Sequence, residues 1–174
     1  MNREEKKALK RQEIYDTAMT MFLARGFENV TTQEIADAVD IAKKTLFQYF
    51  PSKEDIVFDD EDELLMQIIG VVKGANPWQD FLTFIRQAES VQVKAQDNFK
   101  IVAFIEQTPA LQGRLLQMWE NYELTIAKYL NAASPLENRL LAQQMVTILR
   151  LSFYQGVKLA DILAAQRGLM DLFV

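Results

Sequence analysis

The placement of proline constrains this chain more than any other feature. Its four prolines stand at positions 51, 77, 109 and 135, and three of them follow residues that cap helices: Asn76, Thr108 and Ser134. A polar cap followed by proline marks a helix start, because proline lacks an N–H that the first turn cannot use and its fixed φ suits that turn. Ser134 also has Glu137 three residues on, the capping-box pattern. Pro51 is followed by Ser52 and Asp55, a weaker form of the same start. Between these marks apolar residues return at intervals of three and four. Ile14, Ala18, Met21 and Phe22 form one such row, stopped by Gly26. Leu115, Met118, Trp119, Tyr122 and Ile126 form another, and Leu141, Met145, Ile148, Leu149 and Ser152 a third. Leu159, Ile162, Leu163 and Gln166 begin a last one. No Asn-Gly or Asp-Gly pair and no strand-like alternation interrupts them. The pattern predicts an all-α protein of about nine helices.

Composition narrows the chemistry. At 174 residues the chain suits one domain, or a small domain and a larger one. It holds no cysteine and no histidine. Thiolate metal sites, thiol nucleophiles and the usual neutral-pH general base are therefore missing. There is no GxSxG, phosphate loop or nucleotide-binding glycine pattern either. An enzyme is not expected, and no cofactor or metal is. The opening MNREEKKALKRQ lacks the apolar core of a secretory signal. No apolar run reaches membrane-spanning length, so a cytoplasmic protein with no membrane partner is expected.

The net charge of -5 argues against a nucleic-acid partner until it is divided. Residues 1–53 carry nine Lys+Arg and eight Asp+Glu, whereas residues 54–174 carry 10 and 16. Local charge on one face governs contact with DNA more than the total does. The same division sets the expected domains, 1–53 and 54–174. The acidic run Asp59–Glu63 lacks the spacing and glycine of a calcium loop and reads as a solvated or frayed helix segment.

Residues 31–50 carry the functional signal. Thr31 and Glu34 form a capping box that starts a short helix, with Ile35, Ala36 and Val39 on its buried face. That helix ends near Asp40. A second short helix is expected to bury Leu46, Phe47 and Phe50 and to expose Lys43, Lys44, Thr45, Gln48 and Tyr49. Two short helices joined by a tight turn are the helix-turn-helix plan. Lysine meets phosphate or guanine edges, threonine and glutamine read bases, and a tyrosine hydroxyl holds a phosphate.

Here residues 12–58 resemble the DNA-binding domain of the TetR family of bacterial repressors. The likeness runs through Ile14, Ala18, Phe22, Gly26-Phe27, Thr31, Ile35 and Ala36. It continues through Thr45, Leu46, Phe47, Tyr49, Phe50, Ser52, Lys53 and Glu54. The resemblance implies a homodimer on a near-palindromic operator, released by a small molecule bound in a carboxy-terminal helical domain. It implies DNA contact by Thr31, Thr32, Lys43, Lys44, Thr45, Gln48, Tyr49 and Lys53, with Lys7, Lys10 and Arg11 reaching the flanking backbone. Three positions depart from the pattern. Asp40 replaces the turn glycine, Ala42 replaces the serine cap, and Phe47 replaces a tyrosine.

For the second domain, helices over 135–155 and 157–172 are expected to form the dimer interface as a four-helix bundle. Pairing would set two recognition helices about 34–36 Å apart. Residues 78–129 would hold the effector. Phe81, Phe84, Phe104, Trp119, Tyr122 and Arg150 are candidate ligand contacts, with Trp78, Phe99 and Tyr129 as further aromatics and Arg86, Glu89, Gln107 and Glu123 as polar groups. Such a ligand would be mostly apolar or aromatic, and the acidic balance favours a cationic one. A helix over 52–70 is the natural lever between ligand and DNA. The competing readings are a TetR-like activator, a regulator working through a protein partner without a small ligand, and a helical interaction module that binds no DNA.

Overall fold

The computed structural model describes residues 2–59, 61–92 and 97–171 along the backbone. Side chains are described there except at 91, 92, 97–100, 153, 154, 170 and 171. Ten α-helices occupy these residues: α1 (Arg3–Arg25), α2 (Thr32–Ala38), α3 (Lys43–Tyr49), α4 (Glu54–Val57), α5 (Glu61–Val72), α6 (Pro77–Gln92), α7 (Asp97–Gln107), α8 (Pro109–Tyr129), α9 (Pro135–Leu149) and α10 (Leu159–Asp171). The described residues contain no strand. None of their helices is long and apolar enough to cross a membrane.

The chain divides into two compact units, Met1–Glu61 and Asp62–Val174. The division thus falls later than position 53, because α4 packs on α1 and belongs with the first unit. In that unit α1 also packs on α2, and α2 on α3. Ile14, Ala18 and Phe22 are fully buried on α1, as their spacing predicts. Phe22 meets Phe27 with ring centroids 5.0 Å apart. Gly26 ends α1 at φ 83, where a glycine meets no Cβ penalty, and its N–H donates to the Phe22 carbonyl at 2.8 Å.

The helix expected over 52–70 is two helices, α4 and α5, with a turn at Phe58 and Asp59. The turn has a physical reason: it lets Phe58 bury to 6 % exposure while Asp59 meets the Arg11 guanidinium. The start of the acidic run is therefore an ion-pair partner of α1 and not only a solvated face.

In the second unit α8 packs on α7 and α9. Ser134 caps α9 by accepting from the Glu137 N–H at 3.2 Å. Thr108 precedes Pro109 as expected, but its hydroxyl donates back to the Phe104 carbonyl at 2.8 Å and caps nothing in α8. The expected helix over 135–155 turns π-helical at Arg150–Tyr154, and α10 starts at Leu159. There the Leu159 N–H donates to Glu89 Oε1 at 2.6 Å. Glu89 therefore serves as a remote cap, held 70 residues away in sequence.

Ala42 stands at the amino cap of α3 with no side-chain cap bond. Its backbone is already extended (φ -68, ψ 143), as a serine cap requires. We expect Ala42→Ser to stabilise the first unit by about 1 kcal/mol, read as a raised melting midpoint. An unchanged or lowered midpoint would show that the hydroxyl finds no free N–H.

Candidate nucleic-acid interface

The site begins with a cap. The Thr31 hydroxyl accepts from the Glu34 N–H at 3.2 Å, and Glu34 Oε2 accepts from the Thr31 N–H at 2.8 Å. Arg25 donates to Glu34 Oε1 at 2.6 Å. These bonds fix the start of α2. The Thr31 N–H and hydroxyl, together with the Arg25 guanidinium, hold the Glu34 carboxyl down at about 2 from an ordinary 4.5. A depressed pKa gives stability that is full above the unfolded value and lost as pH falls through the folded one. The stability gap between the parent and Glu34→Gln should therefore be widest above pH 4.5 and close as pH falls towards about 2. Denaturant titrations across that window test this, and a gap that does not change with pH would contradict it.

Asp40 makes the turn between α2 and α3. Its φ of 52 makes it the one non-glycine residue at positive φ among those described. Aspartate is one of the few side chains that visit this region, which explains how the turn survives without glycine. The Ile41 N–H then donates to the Ala36 carbonyl at 3.0 Å, closing the turn on α2.

Helix α3, with Phe50 at its end, presents four rows. Steps of about 100° per residue put Leu46 and Phe50 on one line, and both are 1 % exposed. Lys44 and Gln48 stand opposite and are exposed. Thr45 and Tyr49, half-buried, form one flank, and Lys43 with Phe47 forms the other. Phe47 corrects the expectation of burial. It is 42 % exposed, and the Lys43 ammonium lies 5.9 Å from its ring centroid. A seven-residue helix buries only one arc, and Phe47 falls outside the arc that Leu46 and Phe50 fill.

The Thr45–Tyr49 flank opens onto a hollow of about 550 Å³ shared with the start of α1. Thr45, Gln48 and Tyr49 line one side, and Arg3, Lys6, Lys7 and Lys10 line the other together with Glu4. The stripe of α1 that buries Ile14, Ala18 and Phe22 becomes cationic towards its amino end. Lys10 is partly engaged, pairing with Glu13 at 2.6 Å and donating to the Val39 carbonyl at 3.4 Å.

Two expected DNA cations have partners inside the unit. Arg11 donates to the Tyr49 carbonyl and pairs with Asp59, with its guanidinium 4.2 Å from the Phe50 ring centroid. Lys53 donates to the carbonyls of Phe27 at 2.8 Å and Val30 at 3.1 Å, and lies 4.1 Å from the Phe27 ring centroid. Both cations satisfy carbonyls that the ends of helices and turns leave open. Thr31 is tied into its capping box, and Thr32 is half-buried at the first turn of α2. The structure therefore brings together Lys43, Lys44, Thr45, Gln48 and Tyr49, with the arm of α1, and sets Lys53 and Arg11 apart.

The ligand residues expected in the second unit differ in burial. Phe81, Trp119 and Tyr122 are buried, Phe84 and Phe104 half-buried, and Arg150 exposed. Trp119 and Tyr122 meet edge-on with centroids 5.6 Å apart, the geometry of ordinary core rings. The side chain of Phe99 lies outside the described residues. An open hollow of about 390 Å³ is lined by Trp78, one of the further aromatics named above, and by residues outside that set, among them Pro77, Leu130, Asn131 and Leu141.

A capped helix, a left-handed turn and a second helix with a basic, hydrogen-bonding outer face define a helix-turn-helix DNA-binding unit. Residues 14–59 match the bacterial regulatory proteins of the tetR family, and through this unit the chain belongs to the TetR family. It is 30 % identical over 124 residues to the transcriptional regulator MftR of Mycobacterium tuberculosis, which covers 67 % of this chain and 61 % of that protein. It is 41 % identical over 59 residues to the transcriptional repressor KstR2 of Rhodococcus jostii, covering 34 % of this chain and 27 % of that one. The chain thus spans about three fifths of MftR. Its fold matches the crystal structure of a TetR-family regulator from Streptomyces coelicolor with a TM-score of 0.61, at 14 % identity, over 91 % of this chain and 87 % of that one. MftR and KstR2 are named as regulators of transcription and not as enzymes.

Proposed function

We propose that this chain is a transcriptional repressor that binds a near-palindromic operator as a homodimer and leaves it when a small molecule binds the second unit. The observation that carries the DNA half of this reading is the outer face of α3. Lys44 and Gln48 stand clear for base edges, and Thr45 and Tyr49 adjoin a hollow rimmed by four cations of α1. Such a face suits recognition in the major groove with phosphate contacts alongside. Lys53 holds the Phe27 and Val30 carbonyls, so in this reading it shapes the domain from within.

Dimerisation is supported by α9, which exposes Leu136 at 67 % and Leu140 at 52 %, one turn apart, and by α10, which exposes Leu169 at 56 %. An effector site is supported by Ser152, whose hydroxyl is buried without a hydrogen-bond partner in the π-helical segment. Buried polar groups are normally paired, and π-helical turns gather at functional sites. An effector that favours wrongly spaced recognition helices weakens operator binding by the same factor by which operator weakens effector binding.

Selection from a random duplex library with purified protein tests the reading. The expected result is enrichment of an inverted repeat, bound with an affinity that falls steeply as salt rises. A well-folded protein that enriches no sequence at low salt would overturn it.

A further inference from the structure

Phe47 is the one large apolar side chain exposed on α3, at 42 %. Its exposed neighbours on that helix, Lys43, Lys44 and Gln48, are all polar. Isolated exposed apolar residues are common on proteins, but this one stands on the helix read here as entering the major groove. The Lys43 ammonium, 5.9 Å from the ring centroid, holds a positive charge beside the ring. That charge disfavours a docking partner that is wholly apolar and suits a surface mixing phosphate with an apolar group. Among the four bases only thymine offers such a group in the major groove, its C5 methyl, and phenylalanine is one of the side chains that meet it.

We propose that Phe47 is a specificity-determining residue that packs on a thymine methyl in each operator half-site, with Lys43 on the adjacent phosphate. The inference rests on the reading of α3 as a recognition helix. Lys44 and Gln48 read hydrogen-bonding edges from the centre of the helix. Phe47 adds, from the flank, a contact that those polar groups do not supply.

The test uses the operator selected by the full chain. Each thymine of the half-site is replaced in turn by uracil, which removes only the methyl group. One position is expected to lose affinity about fourfold per half-site, the worth of one buried methyl. In Phe47→Ala that loss should vanish, so thymine and uracil bind alike, whereas Phe47→Leu should keep part of the difference. This is a double-mutant cycle across the interface. Because Phe47 is exposed, both variants should melt close to the parent. Should the alanine variant fail to fold, the uracil series on the parent and the leucine variant decides. Uracil tolerated at every position overturns the proposal, and so does an undiminished thymine preference in Phe47→Ala. If no sequence is enriched at all, the DNA-binding reading fails first and this inference falls with it.

Discussion

The double variant Lys44→Ala, Gln48→Ala is expected to lose at least about 100-fold in operator affinity, with little change in stability. Both residues are exposed on the outer row of α3, and truncation there leaves no cavity. Substitutions at such positions stay within about 0.5 kcal/mol of the parent. Each hydrogen-bonding contact to a base edge is worth about 1–3 kcal/mol, so losing two in a half-site reaches 100-fold at the lower to middle part of that range. Lys7→Ala offers the contrast. Lys7 lines the cationic side of the hollow, and a phosphate contact there should weaken all duplexes alike and reduce the salt slope by about one. Fluorescence anisotropy over a salt series, on the operator and on a scrambled duplex, separates the two cases. Unchanged discrimination between the duplexes in the double variant would remove Lys44 and Gln48 from base reading.

What was legible in the sequence was local. The capping box at Thr31 and Glu34 spans three residues, so the letters alone contain it. The same holds for Gly26, for the aspartate at the turn, and for the missing cap at Ala42. The burial of Phe47 was misread because apolar character stood in for position. Helical geometry already set it about 100° from Leu46 and about 60° from Phe50. Arg11 and Lys53 also have partners inside the unit, and these were hidden in the sequence for a different reason. Their partners lie 38 and 48 residues away for Arg11, and 26 and 23 for Lys53, and no spacing rule reaches across such gaps. The aromatic rows of the second unit follow helical period and mainly fill its core. The hollow there takes in Trp78 from the expected set, but most of its lining comes where helices begin and end, as at Pro77 and Leu130, a part of the chain where periodicity says little. Glu89 is a similar case: a carboxylate that looked available to a ligand is used by the amino end of α10.

Phe50→Ala is expected to cost the first unit about 3–5 kcal/mol. The ring is 1 % exposed and ranks among the largest fully buried side chains. Its removal opens a cavity directly beneath α3. It also strips the Arg11 guanidinium of the ring it lies against, 4.2 Å from the centroid, while leaving that cation beside the Tyr49 carbonyl and Asp59. A unit of this size is stable by only about 3–9 kcal/mol at 0.05–0.15 kcal/mol per residue, so the loss rivals the whole. Amide exchange should show Ile14, Phe22 and Leu46 losing protection, while Met118, Tyr122 and Ile148, buried in the second unit's own core, retain theirs. Operator binding should disappear in parallel. Phe50→Leu keeps most of the volume and should cost about 1.5 kcal/mol or less. Pairing each variant with Arg11→Met isolates the contribution of the cation over the ring. A coupling near zero would mean that Arg11 acts through Asp59 and the Tyr49 carbonyl alone. A Phe50→Ala cost under about 1 kcal/mol would mean that α3 is held against α1 and α2 by something other than this buried row.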